Sequence, residues 1–265
     1  MSHSKIVIFF LLSLIISSCT RTQKTVSENN TQETIYQEIV PREIIFKDYN
    51  YEKMLFENHR FEFEIHLENI SGFDKASDLI KTLIYQNKDF DEYAEYLEKY
   101  FIGDIRADTY PSQLDDNGTD YIFRFKLIAD YSVEYYSDSF IIIEYSGYTY
   151  YAMTAHGSYW TVYRIIDIAE ERILDIADLI NPIPDDLLKQ FIEEKYDINY
   201  YLQEEIWAPG SVNFSNENIE LIWNIYHITP YSAGLISIEI PDDVIQQYLT
   251  DKGKILKMEI DSQNK

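Results

Sequence analysis

The sequence predicts an α+β fold, with antiparallel sheets, helices packed on one face, and two consecutive small domains. Three observations predict it. Several segments alternate apolar and polar residues at period two, as half-buried strands do; in residues 60–67, Phe61, Phe63, Ile65 and Leu67 oppose Glu62, Glu64 and His66. Other segments carry apolar residues at helical spacing. Between them stand hairpin and proline signals, a pattern of hairpins and separated helices that suits antiparallel sheet covered by helices.

The first 18 residues read as a processing signal. Lys5 lies in a short n-region, and the apolar run from Ile6 to Ile16 follows it. As a helix that run rises only about 16 Å, roughly half the hydrocarbon core, so it is too short to span a bilayer. Ile16-Ser17-Ser18-Cys19 then resembles a lipobox, which makes Cys19 the expected lipidation site and mature N-terminus. Cys19 is also the sole cysteine, which excludes an intrachain disulfide and a thiolate metal cluster. Two or three acyl chains hold durably where one binds reversibly, at about 0.8 kcal/mol per buried methylene. Residues 19–42 are polar, among them Arg21, Gln23, Lys24, Glu28, Asn29 and Asn30, and are expected to form a flexible tether. The expected location is the cell envelope, lipid-anchored, on the outer membrane if the cell has one, since Thr20 is not the aspartate associated with inner-membrane retention.

The first domain is expected over residues 43–155. After the strand at 60–67, Leu79, Ile80, Leu83 and Ile84 have helical spacing, and Tyr93, Tyr96, Leu97 and Tyr100 mark a second helix. Asn117-Gly118 is a hairpin-type turn signal. It leads into a strand at 121–129, where Tyr121, Phe123, Phe125 and Leu127 alternate with polar residues, and a further strand follows at 140–145. The second domain is expected over 156–262. It holds a strand at 159–166, a helix at 185–196 after Pro182 and Pro184, and strands at 219–225 and 235–240. Pro241 suits the first position of a last short helix, with Asp242 and Asp243 favourable in its first turn.

Composition gives this body ample core: 46% of the chain is hydrophobic, with 24 Tyr and 14 Phe. The net charge is −24, and loss of Lys5 with the signal makes the mature chain one unit more negative. Such a charge argues against nucleic acid, where phosphate repulsion dominates, and against lying on anionic lipid. It steers basic partners inward, or serves only as a solvated coat.

Sequence signatures of catalysis are missing: there is no H-E-x-x-H, G-x-S-x-G, Walker glycine loop or G-x-G-x-x-G. Asp115-Asp116-Asn117-Gly118-Thr119-Asp120 has its glycine in the wrong place for a calcium loop. No histidine pair has ligand spacing, so no metal and no cofactor is expected.

One stretch is more specific. Tyr226-His227-Ile228-Thr229-Pro230-Tyr231-Ser232-Ala233-Gly234, followed by Ile238-Glu239-Ile240-Pro241, resembles the Y-x-I-x-P-Y-x-x-G … I-P signature of an extracytoplasmic domain family. That family includes regions of the anti-sigma factor RsiV and the peptidoglycan deacetylase PdaC. Ala155-His156-Gly157-Ser158-Tyr159-Trp160 stands where the family has its G-G-A-H segment, and residues 43–155 resemble the companion domain that precedes it. Two departures stand out: Met153-Thr154 replaces the paired glycines, and Ala169 to Glu171 lacks the usual turn glycine.

Pro230, Gly234 and Pro241 are the structural residues of this motif. Pro230 biases Thr229 to extended geometry and ends a strand, and Gly234 permits a positive φ or a close backbone approach. Candidate ligand-binding residues are His156, Tyr159, Trp160, Tyr226 and Tyr231; each also has a structural reading, as a buried ring at a bend or a hydrogen-bonded histidine. The family contains a lysozyme-sensing member and a member whose catalysis lies in a separate domain. The resemblance therefore implies a binding lipoprotein that captures or senses a basic protein such as lysozyme, or alternatively a cell-wall glycan, without catalysis.

Overall fold

The computed structural model describes residues 42–56, 58–103, 105, 122–196, 206, 208–216 and 218–263. Cys19, most of the tether, and the Asn117-Gly118 turn lie outside the described residues. The alternating pattern at 60–67 does form a strand, β2 (His59–Ser71), and its partner β1 (Glu43–Phe56) lies antiparallel to it. After β2 come α1 (Asp74–Leu79), a π-helical turn (Ile80–Ile84) and α2 (Phe90–Gly103). Asp89 and Glu92 cap α2 reciprocally: the Glu92 N–H donates to the Asp89 carboxylate (2.9 Å), and the Asp89 N–H to that of Glu92 (3.1 Å).

Next are β3 (Phe123–Tyr136), β4 (Phe140–Tyr150), β5 (Ser158–Asp167) and β6 (Arg172–Leu174). The six strands form one sheet in the order β1-β2-β3-β4-β5-β6. All its pairs are antiparallel except β2–β3, which is parallel. The physical reason is the connection. A helical crossover intervenes between β2 and β3, and a crossover returns the chain in the same direction where a tight hairpin would reverse it. The sheet runs on past residue 155, because β5 and β6 continue the ladder of β4.

The rest of the chain builds a second layer: α3 (Ile176–Leu179), α4 (Asp185–Tyr196), β7 (Ser211–Phe214), β8 (Asn218–Trp223), β9 (Ile236–Pro241), α5 (Asp242–Ile245) and α6 (Asp251–Gln263). Strands β7, β8 and β9 make a three-stranded antiparallel sheet. The architecture is α+β, as the alternation predicts.

Two hydrophobic cores result, and β4 serves both. Ile141 and Ile143 join Phe61, Phe63, Phe125, Ile80 and Phe101 in the first core. Phe140 and Ile142 point the other way and join Ile165, Ile192, Trp223, Ile240 and Leu256 in the second. Four consecutive residues of β4 are therefore buried, which a strand with one wet face cannot show.

Several expectations need correction. The sequence reading passes over β1, β7 and α6. Residues 251–263 hide their helix because Leu256 and Ile260 are buried while Ile255 and Met258 are exposed, which leaves a thin apolar stripe. Lys257, on the same helix, is only 1% exposed; its ammonium bonds Asp242 (2.9 Å), Asp261 (2.6 Å) and the Asn216 carbonyl (3.0 Å). The strand expected at 219–225 ends at Trp223, so Pro230 does not terminate it; Pro230 instead opens a 3-10 turn at Tyr231–Ala233, closed by the Ala233 N–H donating to the Pro230 carbonyl (3.0 Å). Pro241 is extended (φ −56, ψ 145) and precedes α5 rather than beginning it.

Candidate functional site

The segment of Ala155 to Trp160 closes the hairpin between β4 and β5. Cross-strand neighbours share a face, and two glycines here lie against aromatic rings. Gly147 opposes Trp160, and a Cβ at Gly147 would lie 2.2 Å from the Ile128 carbonyl oxygen and 2.6 Å from the indole. A Cβ at Gly157 would meet the Tyr148 ring at 2.2 Å. The bare backbone at both glycines is thus roofed by an aromatic ring. Trp160 is half-buried against the first core, 5.7 Å from the Tyr145 ring centroid.

Tyr159 lies on the opposite face from Trp160. It is 58% exposed, and its ring centroid is 4.6 Å from that of Tyr148. His156 is exposed in the turn before it. Tyr226 is 60% exposed and sits at φ +69, a left-handed conformation that is uncommon for a bulky residue. Gly234 holds φ +74 with nothing within 4 Å of where a Cβ would be, so this glycine serves a positive φ and not a close approach. For Tyr231 the backbone lies in the 3-10 turn, and its side chain is outside the described part.

The two motif segments meet through a residue the sequence reading does not single out. The Asn224 side chain pairs with the backbone of Thr161, and the turn carrying Tyr226 is thereby held against the strand carrying Tyr159. Ser211 acts alike on Tyr163, whose N–H donates to the Ser211 hydroxyl (2.5 Å). Nothing in local periodicity marks Asn224 or Ser211, since their partners lie 63 and 48 residues away.

The register of the large sheet adds a second feature. Side chains on the face opposite the first core form rows across the strands. One row runs Asp48, His66, Asp130, Ser146 and Thr161; beside it Phe46 pairs with Glu68, and Ser132, Glu144 and Tyr163 run in line. Glu62, Glu64 and Glu134 stand on the same face. Lys126 compensates part of this charge, bonding Glu64 (2.9 Å) and approaching Glu62 (3.6 Å). The second core covers this face around Phe140, Ile142, Ile165 and Leu174, while Glu62, Glu64, His66 and Glu68 remain half-exposed.

Two groups report the field there. Desolvation, together with the carboxylates of Glu144, Glu68 and Asp130, pushes the Glu134 carboxyl above its ordinary range. At His66 burial disfavours the charge, but bonds to Asp48 (2.6 Å) and Glu68 (3.0 Å) and the nearby Asp130 outweigh it and raise the imidazole. The neighbouring carboxylates contribute to both shifts, since a negative potential disfavours a further anion and favours a cation.

A cavity of about 580 Å³ lies elsewhere, beside the β3–β4 turn, lined by Arg42, Tyr135, Asp138 and Glu259 among others. Among the described residues no three His, Cys, Asp or Glu gather where they could hold a metal ion. No described helix is long and apolar enough to cross a membrane.

No family model matches the sequence, and no curated protein matches it. Solved structures do. The fold is similar to that of a DUF3298 family member from Bacteroides fragilis, with a TM-score of 0.60 and 17% identity over 82% of this chain and 97% of that one. A DUF3298 family protein from Pseudomonas aeruginosa aligns with a TM-score of 0.49 and 16% identity over 81% of this chain and 96% of that one. At such identity the likeness is one of fold: the chain has the α+β architecture of the Bacteroides protein, over nearly that protein's whole length.

Proposed function

We propose that this chain is a lipid-anchored extracytoplasmic binding protein that captures a basic protein, lysozyme being the sharpest version, and performs no chemistry of its own. The observation that carries the reading is the open, carboxylate-lined face of the large sheet, where Glu134 is crowded by Glu144, Glu68 and Asp130. A face of one sign speeds encounter with a partner of the other and rejects like-charged ones. The exposed Tyr159 and Tyr226 supply rings of the kind that anchor interfaces. The resemblance of residues 155–241 to the extracytoplasmic family supports capture over catalysis, and acylation of Cys19 would hold the body at the envelope.

The test is titration of lysozyme into the full chain at about 0.15 M salt, where the Debye length is about 8 Å. Saturable 1:1 binding is expected, weakened by Glu134→Lys and lost in Tyr159→Ala or Tyr226→Ala variants that still fold. Binding that vanishes at this salt and ignores all three substitutions would reduce the acidic face to a solvated coat.

A second reading, a peptidoglycan-binding module, is favoured by the Tyr148–Tyr159 ring pair on the same face. Sugar stacking on these rings would be indifferent to salt and to Glu134→Lys, yet lost with Tyr159→Ala. Muropeptide titration separates it from protein capture.

A further inference from the structure

We propose that the outer edge of β1 is a docking surface for β1 of a second copy, joining two large sheets into one across an antiparallel pair. Strand β1 ends the strand order, and among the described residues nothing pairs with its outer edge. An open edge offers a row of free N–H and C=O groups, and proteins ordinarily guard it with short strands, proline, bulges or protruding lysines. This edge is 14 residues long, contains no proline, and is irregular only at its end, between Met54 and Phe56.

Its two lysines do not serve as guards. Lys47 is paired with Asp91 (2.5 Å) and Lys53 with Glu98, both on α2, so each ammonium is drawn onto the helix side and does not reach across the edge. Among the charged and polar side chains of the strand stand four exposed apolar ones: Ile44, Ile45, Phe46 and Met54 are 42, 43, 62 and 52% exposed. A long edge of this kind pairs with another strand unless something forbids it.

The charge pattern selects the occupant and the register. Two-fold pairing about an axis normal to the sheet centres on one residue and sets opposite residues on the same face. Two registers overlap the most strand. Centred on Asn50, the pairing opposes Lys47 to Lys53 and Asp48 to Glu52, each twice, and like charges directly opposite are unfavourable. Centred on Tyr49, it aligns residues 43–55 with no like charges opposed. Ile44 then meets Met54, Phe46 meets Glu52, Ile45 meets Lys53 and Lys47 meets Tyr51. One long register of self-pairing is therefore free of like-charge opposition. In that arrangement the carboxylate face of one copy continues into that of the other.

A net charge of −24 on each copy opposes association, so dimerisation should strengthen as salt screens it. This is the reverse of the salt dependence expected for capture of a basic protein, and the two readings fail separately. The test is sedimentation equilibrium of the full chain carrying Cys19→Ser, from about 0.05 to about 0.5 M salt, a range that shortens the Debye length several-fold. Expected is a monomer–dimer equilibrium that tightens with salt, in which β1 amides slow their hydrogen exchange.

Ile45→Lys sets a like charge against Lys53 of the second copy twice per dimer, and should weaken association about three- to tenfold. Ile45→Glu at the same exposed position should preserve or tighten it. A single-chain mass at every salt and concentration would overturn the proposal. So would a dimer whose β1 amides exchange as in the monomer, or one that treats the two Ile45 variants alike. Protection of β1 that appears only when a basic protein is added would assign the edge to that partner instead and equally overturn it.

Discussion

The side-chain amide of Asn224 completes both backbone hydrogen bonds of Thr161. Its Oδ1 accepts from the Thr161 N–H at 2.9 Å, and its Nδ2 donates to the Thr161 carbonyl at 3.2 Å. Ser211 does similar work at Tyr163, and from Ile165 onward β6 takes over as a true ladder. The free edge of β5 is thus satisfied residue by residue, first by side chains and then by a strand.

Asn224→Ala should leave two half-buried backbone groups without partners and destabilise the fold by about 1–3 kcal/mol. Asn224→Asp keeps an acceptor for the N–H but turns a carboxylate toward the Thr161 carbonyl, and should not rescue it. Urea unfolding gives the energy, and faster exchange of the Thr161 amide locates it. Unchanged stability with unchanged exchange would show that the pair contributes nothing.

Glycine substitutions should separate two causes of strain. At Gly234 a side chain meets open space but a left-handed backbone, so Gly234→Ala should cost about 1–2 kcal/mol, with Gly234→Val costing more because of its β-branch. At Gly147 an added Cβ would lie 2.2 Å from the Ile128 carbonyl, a backbone atom that cannot turn aside. Gly147→Ala should therefore lower the melting temperature more than Gly234→Ala. The opposite order would mean that β3 and β4 separate easily.

Met153, in the pair that replaces the resembled family's glycines, and Glu171, in the stretch Ala169 to Glu171 that lacks its turn glycine, both hold positive φ, at 65 and 54. The turns keep their left-handed geometry without the residue that makes it free of strain. Met153→Gly should relieve about 1 kcal/mol of backbone strain, most of it offset by the greater entropy of the unfolded chain. Met153→Val has no such relief and should destabilise clearly. Equal stability of the two variants would contradict a left-handed turn at this position.

His66 should make stability depend on pH. Its folded pKa lies above the ordinary value of about 6.5, so protons bind the native state more tightly. The resulting stability is fully present below about pH 6.5 and is lost as pH rises through the folded pKa. His66→Gln should flatten the profile in that window, and an NMR titration of the imidazole should give a midpoint above that of an unfolded peptide. A midpoint at or below the peptide's would remove Asp48, Glu68 and Asp130 as its dominant partners.

Local patterning made much of the fold legible. Period-two alternation marked the buried faces of β2 and β3, because successive side chains on a strand point to opposite sides. Pro182 and Pro184 marked the start of α4. The sequence left Gly234 open between a positive φ and a close backbone approach, and the structure shows the first.

What the sequence by itself determined, then, is the α+β class and the inward face of each strongly patterned element, since both follow from the periods of strand and helix. Tertiary structure decided the rest. Burial of β4 on both faces requires a second layer supplied by residues far along the chain. Lys257 is buried because Asp242 and Asp261 converge on it, whereas in sequence it reads as one more surface charge. The carboxylate rows on the open sheet face exist only once strands from Asp48, His66, Asp130 and Glu144 lie in register. The Asn224–Thr161 pair joins residues 63 positions apart, and hydrogen bonds at that separation leave no local period to read.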